Sequence, residues 1–264
     1  MTAVAERTTV FAERKARAID LAARFDYAAE PLGLVASLAD VQGAAFERAR
    51  AERPSFDALP SFVVRASLPG VMEAAMSAGT ERLRESVLTR FHDGDLEAIV
   101  RAWLAGDEQD ETDAFVARAA TSPVLEALPA LGEHLRGDAS DERRCPSCGG
   151  VPQLAIHSDT GEALLTGQRL LECSRCAMRW AYPRMTCVSC RETGGSRLPI
   201  LSDESRLAHL RLDACEVCHA YLVTVDMRKE PRAVPVIDEI LALPLDLIAS
   251  ERGFVKIVRN VVGF

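Results

Sequence analysis

The sequence predicts an α+β chain: an N-terminal all-helical domain, then two tandem four-cysteine modules, then short C-terminal helices. Three observations carry this expectation. Residues 1–144 contain no cysteine and repeat apolar side chains at helical spacing. All eight cysteines fall between Cys145 and Cys218. The chain after them closes on two short apolar segments split by Pro244.

The helical part is read in order. Phe11–Phe25 is rich in Ala, Glu, Arg and Leu, Pro31 stops or restarts the chain, and Leu34, Leu38, Val41 and Ala45 follow at helical spacing. Thr80 is placed to cap a helix carrying Leu83, Val87 and Phe91, and Asp95 to cap one carrying Leu96, Ile99, Val100 and Trp103. Gly106 closes the second of these. The acidic run Asp107–Glu111 lacks the alternating oxygen ligands and central glycine of a calcium loop, so it reads as a solvated connection between helices. Ser122-Pro123 is expected to start a short helix, Val124–His134, interrupted near Pro129. Residues 1–140 are therefore expected to be one helical domain, with Gly137–Arg144 (GDASDERR) as the linker into the cysteine region.

The cysteines come in four C-x-x-C pairs. Cys145/Cys148 and Cys173/Cys176 flank 24 intervening residues, Cys187/Cys190 and Cys215/Cys218 flank 24 as well, and the second set repeats the first at an offset of 42. Two residues between thiols let the backbone turn sharply enough for both sulfurs to face one ion, and two such turns complete a tetrahedron. Pro146, Ser147, Gly149, Gly150, Ser174 and Ser189 favour those turns. The pattern is the sequence form of rubredoxin-like or zinc-ribbon modules, with connections slightly longer than usual. The expected divisions are 141–184 for the first module, 185–231 for the second and 232–264 for the C-terminal helical segment. Equal gaps favour pairing the first pair with the second and the third with the fourth; the ten residues between the middle pairs leave an interleaved arrangement open. Ala177–Tyr182 and Ala220–Val225 read as strands leaving the sites. Met227–Pro235 reads as an extended connection, and Val236–Leu243 and Leu245–Arg252 as two helices separated by Pro244, with Gly253 as a stop and a docking surface elsewhere on the molecule.

Other uses of C-x-x-C are less consistent with these residues. A thioredoxin-like dithiol needs the pair at the start of an amphipathic helix, which none of the four provides. Disulfides need an oxidising compartment, and Met1–Arg24 has no apolar core or cleavage pattern of a secretory leader, so a cytoplasmic metal-binding protein is expected. No apolar run approaches the length of a membrane span. The formal net charge of −8 disfavours nucleic acid as a partner. Arg169, Arg175, Arg179, Arg184, Arg191, Arg197, Arg206 and Arg211 nonetheless lie in the cysteine region, where they read as a solvated rim around anionic thiolates.

Catalytic signatures are missing. The sequence has no G-x-S-x-G elbow, P-loop, dinucleotide-binding turn or H-E-x-x-H helix, so no catalytic residue is nominated and a non-enzymatic role is expected. His219 follows Cys218 but eight thiolates already satisfy two ions, so it reads as a partly exposed histidine; His157 and His209 are expected at surfaces. Trp180 and Tyr182 are expected to pack the small core beside the second pair.

The cysteine-free helical part followed by CPSCGG, CSRCAMRW, CVSC and CEVCHAYL resembles the FdhE family of formate dehydrogenase accessory proteins. The matching positions are Cys145, Pro146, Cys148 and Gly149; Cys173, Cys176 and Trp180; Cys187 and Cys190; Cys215, Cys218 and Tyr221. A weaker likeness is Glu30-Pro31-Leu32 leading into a helix ending at Gln42, and the tail from Asn260 to Phe264 departs from the family's Asn-Pro-Phe-type ending. The resemblance implies a cytoplasmic maturation factor that contacts the catalytic subunit of respiratory formate dehydrogenase. It also implies iron in both four-cysteine sites. Spacing alone allows zinc equally, so zinc is the alternative. Two other functions share these ligands: a nucleic-acid-binding zinc ribbon, and a rubredoxin-like electron carrier.

Overall fold

The computed structural model describes residues 2–136, 141–158 and 168–263. The chain divides into two units, 1–137 with 261–263 and 138–260. The linker read over 137–144 lies partly outside the described residues, at 137–140.

The first unit is built of helices α1 (Thr2–Ala22), α2 (Ala29–Glu52), α3 (Leu59–Ala66), α4 (Leu68–Ala78), α5 (Glu81–Asp93), α6 (Leu96–Ala105), α7 (Glu111–Ala127) and α8 (Pro129–Glu133). Its core runs along α2, whose buried Leu32, Leu38, Ala45, Phe46 and Ala49 follow helical spacing. Phe46 meets Phe11 of α1 at 5.5 Å between ring centroids. The helices α2 and α4 approach so closely that a Cβ on Gly70 would lie 2.9 Å from Val41 Cβ, which explains the glycine there. Both expected caps form: Thr80 accepts from Leu83 N–H and Asp95 from Ala98 N–H, and Gly106 ends α6 with φ +84. Of the α5 stripe, Val87 is buried and Phe91 is exposed.

Several expectations about these helices are corrected. The α2 helix continues past Gln42 to Glu52, because Gly43 is followed by good helix formers and by core positions Ala45, Phe46 and Ala49. Residues 53–79, for which no individual helix was assigned within the expected helical domain, carry α3 and α4; Pro60 and Pro69 sit in first turns, where a missing N–H costs nothing. The acidic run is an exposed connection between α6 and α7 as expected, and its Asp110 is in addition the N-cap of α7, accepting from Thr112 and Asp113 N–H groups, while Arg90 pairs with Asp110 and Asp113.

Pro123 does not start a helix. It lies inside α7, and the break falls at Pro129 as expected. A proline at 123 deprives the carbonyl of Ala119 of its helical donor and crowds the turn before it. Gln42 Nε2 donates to Ala119 O at 3.0 Å, and Ser67 Oγ donates to the neighbouring Ala120 O at 2.7 Å. Neighbouring segments thus satisfy the carbonyls that the ring disturbs.

The second unit is a seven-stranded sheet with short helices. Its strands are β1 (Pro152–Ser158), β2 (Gln168–Cys173), β3 (Arg179–Ala181), β4 (Ile200–Ser202), β5 (Leu210–Ala214), β6 (Ala220–Asp226) and β7 (Val255–Lys256). Six of them lie in the spatial order β3-β2-β1-β6-β5-β4, and β7 pairs with β6 off that path. Within each triplet the pairings are antiparallel, while β1 and β6 run parallel from Leu154↔Val223 to His157↔Asp226. Both triplets therefore read third-second-first across the sheet with matching strand directions. The duplication is a head-to-tail repeat fused into one sheet through a parallel seam. Since β1 and β6 are central, both their faces are covered and their sequences are almost continuously buried, unlike the alternating β5.

One sheet face presents Ala155, Leu171 and Leu222, covered by Tyr182 and Val188 with Trp180 and Ile257 at the margin. The other carries Leu210, Leu212, Tyr221, Val223 and Val225 toward the C-terminal helices α9 (Pro235–Asp238) and α10 (Leu243–Glu251), joined by a 3-10 turn at Glu239–Ala242. Those helices bury Ile237, Ile240, Leu241, Leu245 and Ala249, so they dock as expected. Pro244 lies in the first turn of α10 and begins that helix, because its fixed φ suits the position. A buried polar knot pins the same segment: Gln153 donates to Glu239, Tyr221 OH donates to Asp246, and Lys256 Nζ lies 3.0 Å from Glu239 and 3.2 Å from Asp246.

Candidate metal centres

Strand direction decides where the cysteines collect. In each triplet one C-x-x-C turn precedes the first strand and the other joins the second to the third, so all four turns lie at the same end of the sheet. Among the described residues, two groups of metal-ligand type form: Cys145, Cys148, Cys173 and Cys176, and Cys187, Cys190, Cys215 and Cys218, each with sulfurs within 4.8 Å of one another. The first pair joins the second and the third joins the fourth; the interleaved alternative does not form.

The four turns share one backbone pattern. Each leading cysteine N–H donates to the carbonyl five residues on: Cys145 to Gly150, Cys173 to Met178, Cys187 to Glu192 and Cys215 to Ala220. Each leading cysteine carbonyl accepts from the N–H four residues on, that of Gly149, Ala177, Arg191 or His219. Those four residues all have left-handed φ, at +68, +54, +67 and +57. The position suits glycine, and only the first turn has one. Sequence reading missed this shared position because three of its four occupants are not glycine; the exact repeat of turn spacing was the available signal.

The geometry fits a bound ion. Sulfur pairs across the first group lie 3.7 Å (Cys145–Cys176) and 3.4 Å (Cys148–Cys173) apart, and across the second 3.6 Å (Cys187–Cys218) and 3.7 Å (Cys190–Cys215). A tetrahedron with metal–sulfur bonds near 2.3 Å has edges of about 3.8 Å. Backbone N–H groups point at the sulfurs: Arg175 N–H at Cys173 Sγ, and those of Ser189 and Cys190 at Cys187 Sγ. Without a cation, crowding opposes full ionisation. Neighbouring thiols, then burial, push Cys173 far above the ordinary thiol range, and burial pushes Cys187 up to about 12. A divalent ion removes that conflict by holding the sulfurs as thiolates. Iron and zinc fit these four-sulfur sets equally.

The surroundings differ from expectation in places. His219 is exposed, stands outside both sulfur groups and has its ring 6.0 Å from that of Phe254. His157, expected at a surface, is buried because β1 is central; burial and then Arg211 lower its pKa to about 4, so the ring is neutral. His209 is half-buried and bonds the fully buried Asp238 at 3.0 Å. Tyr182 packs in the core and donates to Cys187 O, while Trp180 Nε1 donates to Glu142 O. Of the arginines expected as a solvated rim, Arg169 is buried against Asp213, and Arg179, Arg191, Arg197 and Arg211 pair with Glu172, Asp141, Glu192 and Asp213. Asp141 also binds Arg143, whose Nη1 donates to Ser189 O, tying the lead-in of the first group to the third turn. Nothing in the sequence marks that bracket.

These features define a class of protein: a helical unit followed by a fused, duplicated sheet that presents two four-cysteine knuckle sites at one end. Residues 185–262 match the family model described as FdhE, C-terminal domain. The Protein FdhE homolog of Aquifex aeolicus is 30% identical over 190 residues, 70% of this chain and 65% of that protein. Its counterpart in Pseudomonas aeruginosa is 29% identical over 211 residues, 75% of this chain and 63% of that protein. The matches thus span less than two thirds of these relatives' length. The crystal structure of the FdhE protein from Pseudomonas aeruginosa shares the fold, with a TM-score of 0.63 over 97% of this chain and 96% of that one at 22% identity. The chain is thus similar to the FdhE family, by sequence over some 70% of its length and in fold along nearly all of it.

Proposed function

We propose that this protein is a cytoplasmic, non-enzymatic accessory factor in the assembly of respiratory formate dehydrogenase. It engages the catalytic subunit of that enzyme and holds two ions, iron by family resemblance or zinc, through Cys145, Cys148, Cys173, Cys176, Cys187, Cys190, Cys215 and Cys218. The observation that carries the reading is the pair of sulfur tetrahedra on one sheet in a chain similar to this family. A closed four-thiolate site leaves no coordination position for a substrate, which favours a scaffold over a catalyst. Among the described residues no helix is long and apolar enough to cross a membrane. The ion pairs of Arg169, Arg179, Arg191, Arg197 and Arg211 reduce the positive charge open to a phosphate backbone, which weighs against the nucleic-acid reading.

The test is capture of the formate dehydrogenase catalytic subunit by the tagged full chain, with metal counted by mass spectrometry. Capture is expected, with two ions in the bait, and is expected to be lost when Cys173 and Cys176 become serine while the helical circular dichroism persists. Unchanged formate dehydrogenase activity in a strain deleted for this chain refutes the assembly role.

A further inference from the structure

We infer that the two four-cysteine sites hold their ions on different terms: Cys145, Cys148, Cys173 and Cys176 keep a permanent ion, whereas Cys187, Cys190, Cys215 and Cys218 form an exchangeable site entered at Cys190. The inference rests on the reading that both groups bind metal.

Two independent observations carry it. The first is burial. In the first site the cysteines are 1%, 0%, 4% and 7% exposed. In the second, Cys187 and Cys215 are buried, Cys218 is half-buried and Cys190 is exposed. Cys190 is the repeat counterpart of Cys148, so one corner of the tetrahedron is sealed in one copy and open to solvent in the other. The second observation is backbone strain. The left-handed position is filled by Gly149 and Ala177 around the first site, and by Arg191 and His219 around the second. Met185, two residues before Cys187, adds a further non-glycine residue at φ +49. The second site therefore holds its turns against more strain, which the metal–sulfur bonds must offset.

Ligand exchange on a four-thiolate ion proceeds by attack of an incoming donor. At the first site that donor has no path without local opening. At the second, an incoming thiolate can form a bond to the ion as the bond to Cys190 Sγ breaks. The ion keeps four sulfurs, Cys190 leaves as a thiolate and takes a proton from water, and no electron is transferred. Met185, two residues before Cys187, and Val217, between Cys215 and Cys218, are both exposed in the turns of this site.

The full chain loaded with zinc is exposed to excess EDTA, native mass spectrometry counts the ions remaining, and pulses of iodoacetamide followed by peptide mapping find the cysteines released. Two phases are expected, the first ion leaving about tenfold or more ahead of the second, as the additional left-handed non-glycine residues around its site imply. Alkylation is expected at Cys190 first and at the other second-site cysteines next, with the first site protected. His219→Gly, which relieves strain at an exposed position, is expected to slow the first phase. A single phase, earlier alkylation of the first site, or faster release from His219→Gly overturns the inference. A chain that lacks two ions before EDTA is added overturns the metal reading itself, and is seen at time zero.

Discussion

The proline inside α7 gives a sharp test of how the helical unit is held together. The carbonyl of Ala119 is buried, its helical donor is replaced by the Pro123 ring, and Gln42 Nε2 supplies the missing hydrogen bond at 3.0 Å. Gln42→Leu keeps the side-chain volume but leaves that carbonyl unsatisfied, at a cost of about 1–3 kcal/mol; since Gln42 is only half-buried, the lower half of that range applies. In a Pro123→Ala background the backbone N–H returns and can donate to Ala119 O, so Gln42→Leu then costs less than about 0.5 kcal/mol. The double-mutant cycle is expected to give a coupling of about 0.5–2 kcal/mol, read from urea unfolding followed by circular dichroism at the helical band, with metal content held constant. Equal costs in both backgrounds, within about 0.3 kcal/mol, would refute the account of how Pro123 is tolerated.

Two further outcomes are expected in the second unit. Ala177→Gly removes the penalty of a left-handed alanine and should stabilise that unit by up to about 1 kcal/mol, read as a raised thermal midpoint of the metal-loaded protein; a lowered midpoint counts against a strained turn. Lys256→Met leaves Glu239 and Asp246 buried without their cation and should cost about 3–5 kcal/mol, or about 10 °C or more in thermal midpoint. Burial already raises the Asp246 pKa, so its ionised form is unfavourable above the ordinary carboxylate range and the penalty vanishes once it is protonated. Removing Lys256 raises that pKa further. The defect is therefore expected to be largest at neutral pH and to shrink in acid, and a defect that grows on acidification contradicts the buried-pair account.

The knuckle pairs, the strands at Ala177–Tyr182 and Ala220–Val225 and the Thr80 and Asp95 caps were legible because each is a local rule: a thiol spacing, a strand leaving a turn, a side-chain oxygen within reach of an N–H two or three residues on. The prolines misled for the same reason. Read locally, Pro123 and Pro244 are breaks, yet one is accommodated by Gln42 and Ser67 from distant segments and the other occupies a first turn.

By itself the sequence determined that eight thiols stand in four duplicated pairs, and it favoured grouping the first pair with the second and the third with the fourth; an offset of 42 spaces the interleaved grouping just as evenly, so the structure decided between them. The sequence also determined that a helical part precedes these pairs. Only the tertiary structure decided that the two modules fuse into one sheet, since the parallel pairing of β1 with β6 joins strands some seventy residues apart and leaves no local mark. It alone decided that Cys190 is exposed where Cys148 is sealed, because burial is set by what packs over a turn and not by the turn's own residues. Identical spacing sets out identical thiol pairs; their grouping and their access to solvent belong to the fold.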